Sequence, residues 1–513
     1  EGNKTVAEAD PEISEGIDFA RWYGDHADLS IDEALHFEPL GVVAVVSPWN
    51  FPMAIPAGGV LAALAAGNSV VLKPAPETPR IAEIVAEACW AAGVPREVLA
   101  FVRTHDDDVG RHLVTSADAV ILTGSLETAE LFRSWKPEIV LFAETSGKNA
   151  LIVTPHADID LAVADLVRSA FGHSGQKCSA ASLAILVGDV YDSPRFRRQL
   201  ADAVESLDVG PATTMSTTTG PLIVPAEGKL LRALTVLDDG ESWLVEPRRL
   251  DDEGALWTPG IRLGVQPGSW FHQTECFGPV LGLMSAATLD EAIELQNATE
   301  FGLTGGIHTL DPGEVRRWLD QVEVGNAYVN RHITGAIVRR QPFGGWKRSA
   351  IGPGAKAGGP NYVMQLGTWT DLDQGPDWLS AAKQSDAHWW STMFSLEHDP
   401  SGLFCESNRL RYRPRAVVGL RVGSDTPEIV VERVKAAAER CGTRLVESRA
   451  ADESDLDCIE RMSGLGVERI RWLGTADDQT IVAAHAAGID LADAPVTGSG
   501  RVELLHCLRE QAI

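Results

Sequence analysis

Between Leu40 and Trp135, short apolar runs alternate with longer stretches whose apolar residues recur every three or four positions. The short runs predict buried strands and the helical spacing predicts amphipathic helices. The predicted strands are GVVAVV, NSVVLKP, VLAFV and DAVILTGS, and the predicted helices are GGVLAALAAG, RIAEIVAEACWAAG and LETAELFRSW. This alternation is typical of parallel β-α-β units, which bind ligands beyond the carboxyl ends of their strands. The first third is therefore a candidate nucleotide-binding layer.

Two further blocks follow the first. A second α/β pattern runs from Asn149 to about Phe343, and strand-helix alternation resumes in a third block with AVVGLRV, EIVVERVKAAAERCG, TRLVES, ERIRWLG and TIVAAHAAGI. Between them, residues 372–408 lose the periodicity and gather Asp, Ser, Gly and Pro, which predicts a linker. Its tryptophans, Trp378, Trp389 and Trp390, indicate that it docks on a neighbouring domain.

The charge balance narrows the classes of partner. The chain has 44 Lys plus Arg against 72 Asp plus Glu, a formal net charge of -28, which repels phosphate backbones and anionic lipid surfaces. No apolar run approaches the length of a membrane span. We therefore expect no nucleic-acid partner and no membrane span.

Cysteine usage bears on the compartment and on metals. The seven cysteines are scattered and odd in number, and no pair has the short spacing of a zinc knuckle or a redox CxxC site. We expect free thiols, a cytoplasmic location and no metal site. The first residues contain neither an initiator Met nor a signal peptide, so we expect a piece of a longer protein.

One cysteine stands out by its surroundings. In FGHSGQKCSA, Cys178 follows a Gly-Gln-Lys turn and precedes two small residues. Single cysteines are most often buried apolar fillers, but a polar flank and a nearby cation favour the nucleophilic thiolate. Thiolate attack on a carbonyl requires an oxyanion stabiliser, and hydrolysis of the resulting thioester requires a base. Glu144 and Asn50 each follow a predicted strand and are candidates for these roles, although either one alone is more typical of a loop or turn residue.

Cys178, Glu144 and Asn50 each lie in one of seven short sequence motifs. SPWNFP, VVLKPA, LTGSLETA, ETSGKNA, GQKCSA, ECFGPV and QPFGGWKRSAIG occur in the order and at about the spacing of the aldehyde dehydrogenase superfamily, which the chain resembles over about residues 10–370. The resemblance implies that Cys178 is the nucleophile and Glu144 the base of the deacylating water. It also implies that the Asn50 amide and the Cys178 backbone N–H bind the oxyanion.

The same resemblance implies a nicotinamide cofactor on a Rossmann-like sheet. Lys73 matches the lysine at the adenosine ribose, Ser47 and Trp49 lie on the loop along the cofactor, and Gly124 with Ser125 approaches the pyrophosphate. Glu275 matches the carboxylate at the nicotinamide ribose, and Phe277 matches the ring beside it. We expect NAD. Pro76 stands where relatives carry a ribose-binding glutamate, so NADP stays open.

Features near the C-terminal motifs indicate the substrate. Ser179 directly follows the nucleophile, NRHITGAIVRRQPFGG contains a Thr-Gly-Ala turn, and KAGGPNY follows. Together they resemble the glutamate semialdehyde (1-pyrroline-5-carboxylate) dehydrogenase branch, most of all the dehydrogenase module of bifunctional proline utilization A proteins. That branch implies that Gly335 and Ala336, aided by Ser179, bind the substrate carboxylate. Phe343 matches the ring that packs on the aliphatic part of the substrate.

The resemblance sets the predicted organisation. We expect an α/β aldehyde dehydrogenase fold followed by a small non-catalytic Rossmann-like domain, which NRLRYRP and GRVELLHCLREQAI resemble. The full-length protein would add a proline dehydrogenase domain, and FAD only with it; a homo-oligomer stays open. The predicted segments are an N-terminally truncated NAD-binding domain (1–147), a catalytic domain (148–345), a return segment (346–371), the linker (372–408) and the C-terminal domain (409–513).

The expected reaction is NAD-dependent oxidation of glutamate γ-semialdehyde to glutamate through a Cys178 thioester, the second step of proline catabolism. One alternative is another dehydrogenase of carboxylated aldehydes, for example of succinate semialdehyde. A phosphorylating semialdehyde reductase is a further alternative, against which the presence of Glu144 counts. The last alternative is a truncated, catalytically silent scaffold.

Overall fold

A computed structural model describes all residues, 1–513. The helices are α1 (Val6–Asp25), α2 (Ala54–Ala65), α3 (Pro79–Ala91), α4 (Asp108–Ser116), α5 (Leu126–Trp135), α6 (Ile159–Phe171), α7 (Pro194–Glu205), α8 (Gly228–Thr235), α9 (Trp270–Gln273), α10 (Leu289–Asn297), α11 (Pro312–Gln321), α12 (Trp378–Trp389), α13 (Glu428–Cys441), α14 (Asp455–Gly464), α15 (Asp478–Ala486) and α16 (Gly500–Glu503).

The strands are β1 (Leu35–Pro39), β2 (Val42–Val46), β3 (Ser69–Lys73), β4 (Leu99–Phe101), β5 (Ala119–Thr123), β6 (Val140–Glu144), β7 (Asn149–Val153), β8 (Ala181–Val187), β9 (Ser242–Val245), β10 (Gly260–Leu263), β11 (Val280–Ala286), β12 (Phe301–Gly302), β13 (Thr304–His308), β14 (Asn326–Val329), β15 (Trp346–Lys347), β16 (Ala350–Ile351), β17 (Gly367–Asp371), β18 (Leu410–Pro414), β19 (Val417–Val422), β20 (Arg444–Arg449), β21 (Arg469–Leu473), β22 (Asp490–Ala492) and β23 (Leu508–Ala512).

The first layer is a six-stranded sheet in the order β16-β6-β5-β2-β3-β4. Its strands run parallel except for β16, which pairs antiparallel with β6. The central strands are rich in Val, Ile and Ala because both faces of a parallel sheet are covered by helices. The register aligns the carboxyl ends of β2, β3, β5 and β6, so that residues following these four strands lie along one edge of the sheet.

The second layer is a nine-stranded sheet in the order β18-β23-β14-β13-β7-β8-β11-β10-β9. The strands from β14 to β10 are parallel, and their apolar side chains form one core on each face of the sheet. β18 and β23, from the C-terminal part of the chain, pair antiparallel with each other, and β23 also pairs in parallel with β14. A separate four-stranded parallel sheet, β20-β19-β21-β22, forms the Rossmann-like unit.

Residues 372–408, predicted as a linker, contain the helix α12 and a π-helical continuation, Trp390–Phe394. Trp378 on α12 is buried and donates from Nε1 to Asp371 Oδ2 at 2.7 Å. Asp386 on α12 forms two 2.8 Å hydrogen bonds with buried Arg433 of α13. The segment therefore docks on its neighbours, as its tryptophans indicated.

The predicted strands and helices of the first block are all present, and α4 is an additional helix there. α1, which precedes this block, and α14, in the third block, were not predicted either. α1 packs along α2 and contributes Phe19 and Tyr23 to the core of the six-stranded sheet. The domain limits stay predictions, since β18 and β23, the first and last strands of segment 409–513, belong to the nine-stranded sheet and not to the four-stranded one. No helix is long and apolar enough to cross a membrane.

Candidate active site

A cavity of about 1450 Å³ lies at the carboxyl edge of the six-stranded sheet, between it and the nine-stranded sheet. Asn50, Glu144 and Cys178 all line it, although 128 residues of sequence separate the first from the last. Asn50 follows β2, Glu144 ends β6, and Cys178 precedes β8. The structure thus brings the three predicted catalytic residues to one cavity.

The turn that carries Cys178 has an unusual backbone. His173, Ser174 and Gly175 have left-handed φ values of 51°, 55° and 69°. A Cβ on Gly175 would lie 2.2 Å from the carbonyl oxygen of Gly278, so only glycine fits there. The turn leaves Cys178 partly exposed at the cavity wall while His173 is buried.

Burial raises the pKa of the Cys178 thiol to about 12, and the negative charges of Glu275 and Glu144 add to this, while the N–H groups of Ser179 and Cys178 oppose it. The expectation that a neighbouring cation favours the thiolate is not met by Lys177. Its Nζ pairs with Glu8 Oε1 at 3.2 Å. In this state the thiol is protonated, and ionisation requires additional positive charge or a proton acceptor in the cavity.

Glu144 has the properties of a general base. Burial raises its pKa to about 7, while the positive charge of Lys356 and a hydrogen bond from the Gly345 N–H oppose the shift. The Gly345 N–H donates to Oε2 at 3.0 Å. A carboxylate that titrates near neutral pH accepts a proton from water more readily than an ordinary glutamate does.

Asn50 is positioned as an oxyanion donor. Its side chain is 5% exposed, and Nδ2 donates to the carbonyl oxygen of Gln176 at 3.1 Å, two residues before the nucleophile. This bond fixes the amide plane and uses one of its two N–H groups. The other N–H is available for charge that develops on a carbonyl oxygen attacked by Cys178.

The predicted cofactor residues line the same cavity. Ser47 Oγ is buried without a hydrogen-bond partner, which fits a polar ligand at this position. The rings of Trp49 and Phe277 meet edge to face at 5.7 Å. Ser125 caps α5, whose first N–H groups suit a phosphate, and Gly124 precedes it. Together these groups fit a dinucleotide.

An ion pair lies at one predicted cofactor position and a single carboxylate at another. At the first, the buried Lys73 Nζ lies 3.1 Å from Asp106 Oδ1, beside Pro76. At the second, Glu275 Oε1 accepts from the Gly147 N–H at 2.8 Å, and burial raises the pKa of Glu275. Sequence reasoning missed Asp106, because it lies on a loop 33 residues after Lys73.

The predicted substrate residues are only partly brought together. Ser179, Ala336 and Phe343 line the cavity, whereas Gly335 is not among the lining residues and packs against Arg331 and His332. The cavity wall also contains charged side chains that sequence reasoning missed, among them Glu8, Arg168 and Lys177. Lys177 directly precedes the nucleophile, but nothing in the local sequence pattern of α1 points to Glu8.

One surface cluster has the composition of a metal site. Ligand atoms of His156, Asp311 and Glu314 lie within 4.8 Å of one another. Glu314 already accepts from His156 Nδ1 at 3.0 Å and from Thr309, and Asp311 caps α11. None of these three residues lines the cavity. The absence of a metal site stays a prediction.

Comparison with known proteins gives a consistent result. The profile of the aldehyde dehydrogenase family matches residues 1–369. The 1-pyrroline-5-carboxylate dehydrogenase of Geobacillus thermodenitrificans is 36% identical over 389 residues, covering 71% of this chain and 74% of that protein. The Bacillus subtilis protein of the same name is 35% identical over 389 residues, with the same coverage.

Solved structures extend the likeness to the C-terminal region. Proline utilization A from Corynebacterium freiburgense has a TM-score of 0.92 and 52% identity over 100% of this chain, which spans 54% of that protein. A 1-pyrroline-5-carboxylate dehydrogenase from Thermus with bound NAD has a TM-score of 0.65 and 32% identity, covering 72% of this chain and 75% of that one. The chain therefore spans about half the length of the proline utilization A protein that it matches throughout.

Proposed function

Since this chain belongs to the aldehyde dehydrogenase family, we propose that it oxidises L-glutamate γ-semialdehyde, the open form of 1-pyrroline-5-carboxylate, to L-glutamate. The Cys178 thiol first loses its proton to solvent in the cavity, and the thiolate Sγ then adds to the aldehyde carbon while Asn50 and the Cys178 N–H stabilise the oxyanion. NAD+, when bound along Trp49 and Phe277, would supply the acceptor for the hydride that leaves this carbon. Glu144 then takes a proton from water, the resulting hydroxide attacks the thioester carbon, and the C–S bond breaks to release glutamate and the Cys178 thiolate.

One observation carries this proposal. One cavity brings together Cys178, the only cysteine on its wall, the amide of Asn50 and the carboxylate of Glu144, whose pKa is about 7. Each of these groups has a distinct step to perform. A structural cysteine needs none of these neighbours. A thioester that is cleaved by phosphate would not require a base such as Glu144. The presence of Glu144 therefore favours hydrolysis of the thioester over its cleavage by phosphate.

For the cofactor, we propose NAD, held by Ser47, Trp49, Lys73, Gly124, Ser125, Glu275 and Phe277. The Asp106 carboxylate beside Lys73 compensates for the glutamate that Pro76 replaces. A carboxylate accepts hydrogen bonds from the 2′- and 3′-hydroxyls of an adenosine ribose and repels a 2′-phosphate. This favours NAD over NADP.

The proposed substrate is a zwitterion with an α-carboxylate and an α-ammonium group. Arg168 and the Lys177–Glu8 pair supply charges of both signs in the cavity that Ser179 and Ala336 also line. Their presence favours an aldehyde with both groups over succinate semialdehyde, which carries only a carboxylate. We propose that Ser179 and the Ala336 N–H bind the carboxylate, and that Phe343 packs on the carbon chain.

The full-coverage likeness to a proline utilization A protein supports a further proposal. In a longer chain, a proline dehydrogenase domain with FAD would supply the 1-pyrroline-5-carboxylate, and residues 409–513 would cover the dehydrogenase without catalysing. All seven cysteines are free, which supports a cytoplasmic location.

The test is NADH formation from 1-pyrroline-5-carboxylate by the chain itself, by Cys178→Ala and by the matched control Cys89→Ala, whose thiol lies outside the cavity. We expect turnover by the unchanged chain and the control and none by Cys178→Ala. Equal rates for all three would overturn the mechanism. Faster oxidation of succinate semialdehyde would favour the alternative substrate, and no NADH from either aldehyde would favour a silent scaffold.

A further inference from the structure

A buried lysine stands behind the proposed base. Lys356 is 1% exposed, and its Nζ donates to the carbonyl oxygen of Gly344 and, at 3.1 Å, to Asn326 Oδ1. Gly344 separates it from Glu144. A Cβ on that glycine would lie 3.0 Å from Glu144 Oε1 and 3.2 Å from Lys356 Cγ. Lys356 thus approaches the base across one glycine and holds the strap, Gly344–Gly345, that donates to Glu144.

The backbone of Lys356 is fixed by the C-terminal part of the chain. Its N–H donates to Glu510 Oε2 at 3.0 Å. Glu510, on β23, also accepts from Asn361 Nδ2 and accepts at its carbonyl oxygen from Trp346 Nε1 at 2.7 Å. Asn361 further donates to the hydroxyl of Tyr412, on β18, at 3.0 Å. A continuous buried polar network therefore connects the β18–β23 pair with the strap beside Glu144.

We infer that Lys356 is a positioning residue for Glu144 and that Glu510, contributed by the last strand of the chain, anchors Lys356. The β18–β23 pair is thus part of the hydrolytic machinery and not only a cover. This inference rests on the proposed function, because it concerns the step in which Glu144 activates water.

The charges around Glu144 determine in which direction Lys356 shifts its pKa. The charged or titratable groups that face Glu144 are Lys356, Tyr362 and Cys178, and Lys356 is the only cation among them. Lys356 in turn faces Glu144 and Glu510. A buried cation favours the ionised carboxylate, so Lys356 lowers the pKa of Glu144 and enlarges the fraction of active base at neutral pH. Glu510 favours the protonated amine of Lys356 and so supports that effect.

The experiment separates the two half-reactions. Enzyme, NAD+ and 1-pyrroline-5-carboxylate are mixed under single-turnover conditions from pH 5.5 to pH 9. NADH absorbance follows acylation, and intact-protein mass spectrometry of acid-quenched samples follows the decay of the Cys178 acyl adduct. For Lys356→Met we expect an NADH phase close to that of the unchanged chain and, at pH 7, adduct decay at least about tenfold slower. Its pH midpoint should move to alkaline pH. For Glu510→Gln we expect a smaller shift in the same direction.

Matched controls distinguish charge from damage to the fold. Lys136→Met removes a half-buried lysine remote from the cavity, and Glu503→Gln removes a buried carboxylate of the same region that pairs with Arg471 instead. Neither should move the pH midpoint. An unchanged midpoint in both Lys356→Met and Glu510→Gln would overturn the inference, as would an equal shift in Glu503→Gln. Absence of the NADH phase in the unchanged chain would instead contradict the proposed function.

Discussion

Asn149 and Cys178 are joined by a 2.7 Å hydrogen bond from the side-chain Nδ2 of the asparagine to the backbone carbonyl of the cysteine. The same Nδ2 donates to the Ala180 carbonyl at 3.0 Å, and Oδ1 accepts from the Thr304 N–H at 3.0 Å. Asn149 therefore uses its buried amide to connect the start of β7 and the start of β13 with the turn of the nucleophile.

Replacing this amide should cost both stability and activity. In Asn149→Ala three buried backbone groups lose their partner, so we expect the free energy of unfolding to fall by about 2–3 kcal/mol in urea denaturation. We also expect kcat to fall, because the Cys178 and Ala180 carbonyls, and with them the backbone of the nucleophile turn, are no longer held in place. The control Asn297→Ala removes an amide that also bridges two backbone groups, far from the cavity. A kcat loss as large in the control would contradict a specific role of Asn149.

Glu144→Gln should separate hydride transfer from hydrolysis. Without the base, we expect one NADH per active site and then turnover reduced by roughly 10²–10⁴-fold. In the unchanged chain hydrolysis requires ionised Glu144, so its rate should rise as the pH passes about 7 and level off above that. Stopped-flow absorbance across pH measures both quantities, with exposed Glu127→Gln as control. Undiminished steady turnover in Glu144→Gln would exclude it as the base.

Asp106→Asn should weaken the discrimination between cofactors. The substitution removes the negative charge beside Lys73 Nζ and frees this cation for a 2′-phosphate. We expect the ratio of kcat/KM for NADP to that for NAD to rise about tenfold, which corresponds to about 1.4 kcal/mol. Exposed Asp108→Asn, two residues away and outside the cavity, is the control. If both variants retain the original ratio, Asp106 does not determine the preference.

Ser179→Ala should slow the oxidation of carboxylated aldehydes only. Loss of a hydrogen bond to a carboxylate costs about 1.5 kcal/mol, so kcat/KM for glutamate γ-semialdehyde should fall roughly tenfold. Oxidation of propanal, which has no carboxylate, should change little. Ser182→Ala, on β8 and outside the cavity, is the matched control. Equal losses with both aldehydes would indicate that Ser179 supports the nucleophile and not the substrate.

Local patterns were sufficient for much of the fold and site. Apolar runs such as VVAVV and AVILT predict strands because a parallel sheet buries both faces, and these strands end at the residues of the motifs. Ser47, Lys73, Gly124 and Glu144 consequently meet at one edge, since parallel strands end on the same side. Such residues are predictable from sequence because each is fixed by the strand immediately before it.

Other relationships depend on contacts between distant segments. Lys177 precedes the nucleophile, yet it pairs with Glu8 across 169 residues, so its charge does not serve the thiol. A carboxylate, Asp106, lies beside Lys73 although it is distant in sequence, because a separate loop folds back on Lys73. Gly335 lies in the expected turn but not on the cavity wall, since turn geometry and not sequence decides which atoms face inward.

The sequence by itself determined which chemical groups this protein has and which strands carry them, because side-chain chemistry and strand periodicity are local properties. Only the tertiary structure decided which charges face each other. Glu144 with its pKa of about 7, Lys356 behind it and Glu510 at the other end of the network come from three distant segments. Burial and long-range Coulomb interactions exist only once these segments have packed together.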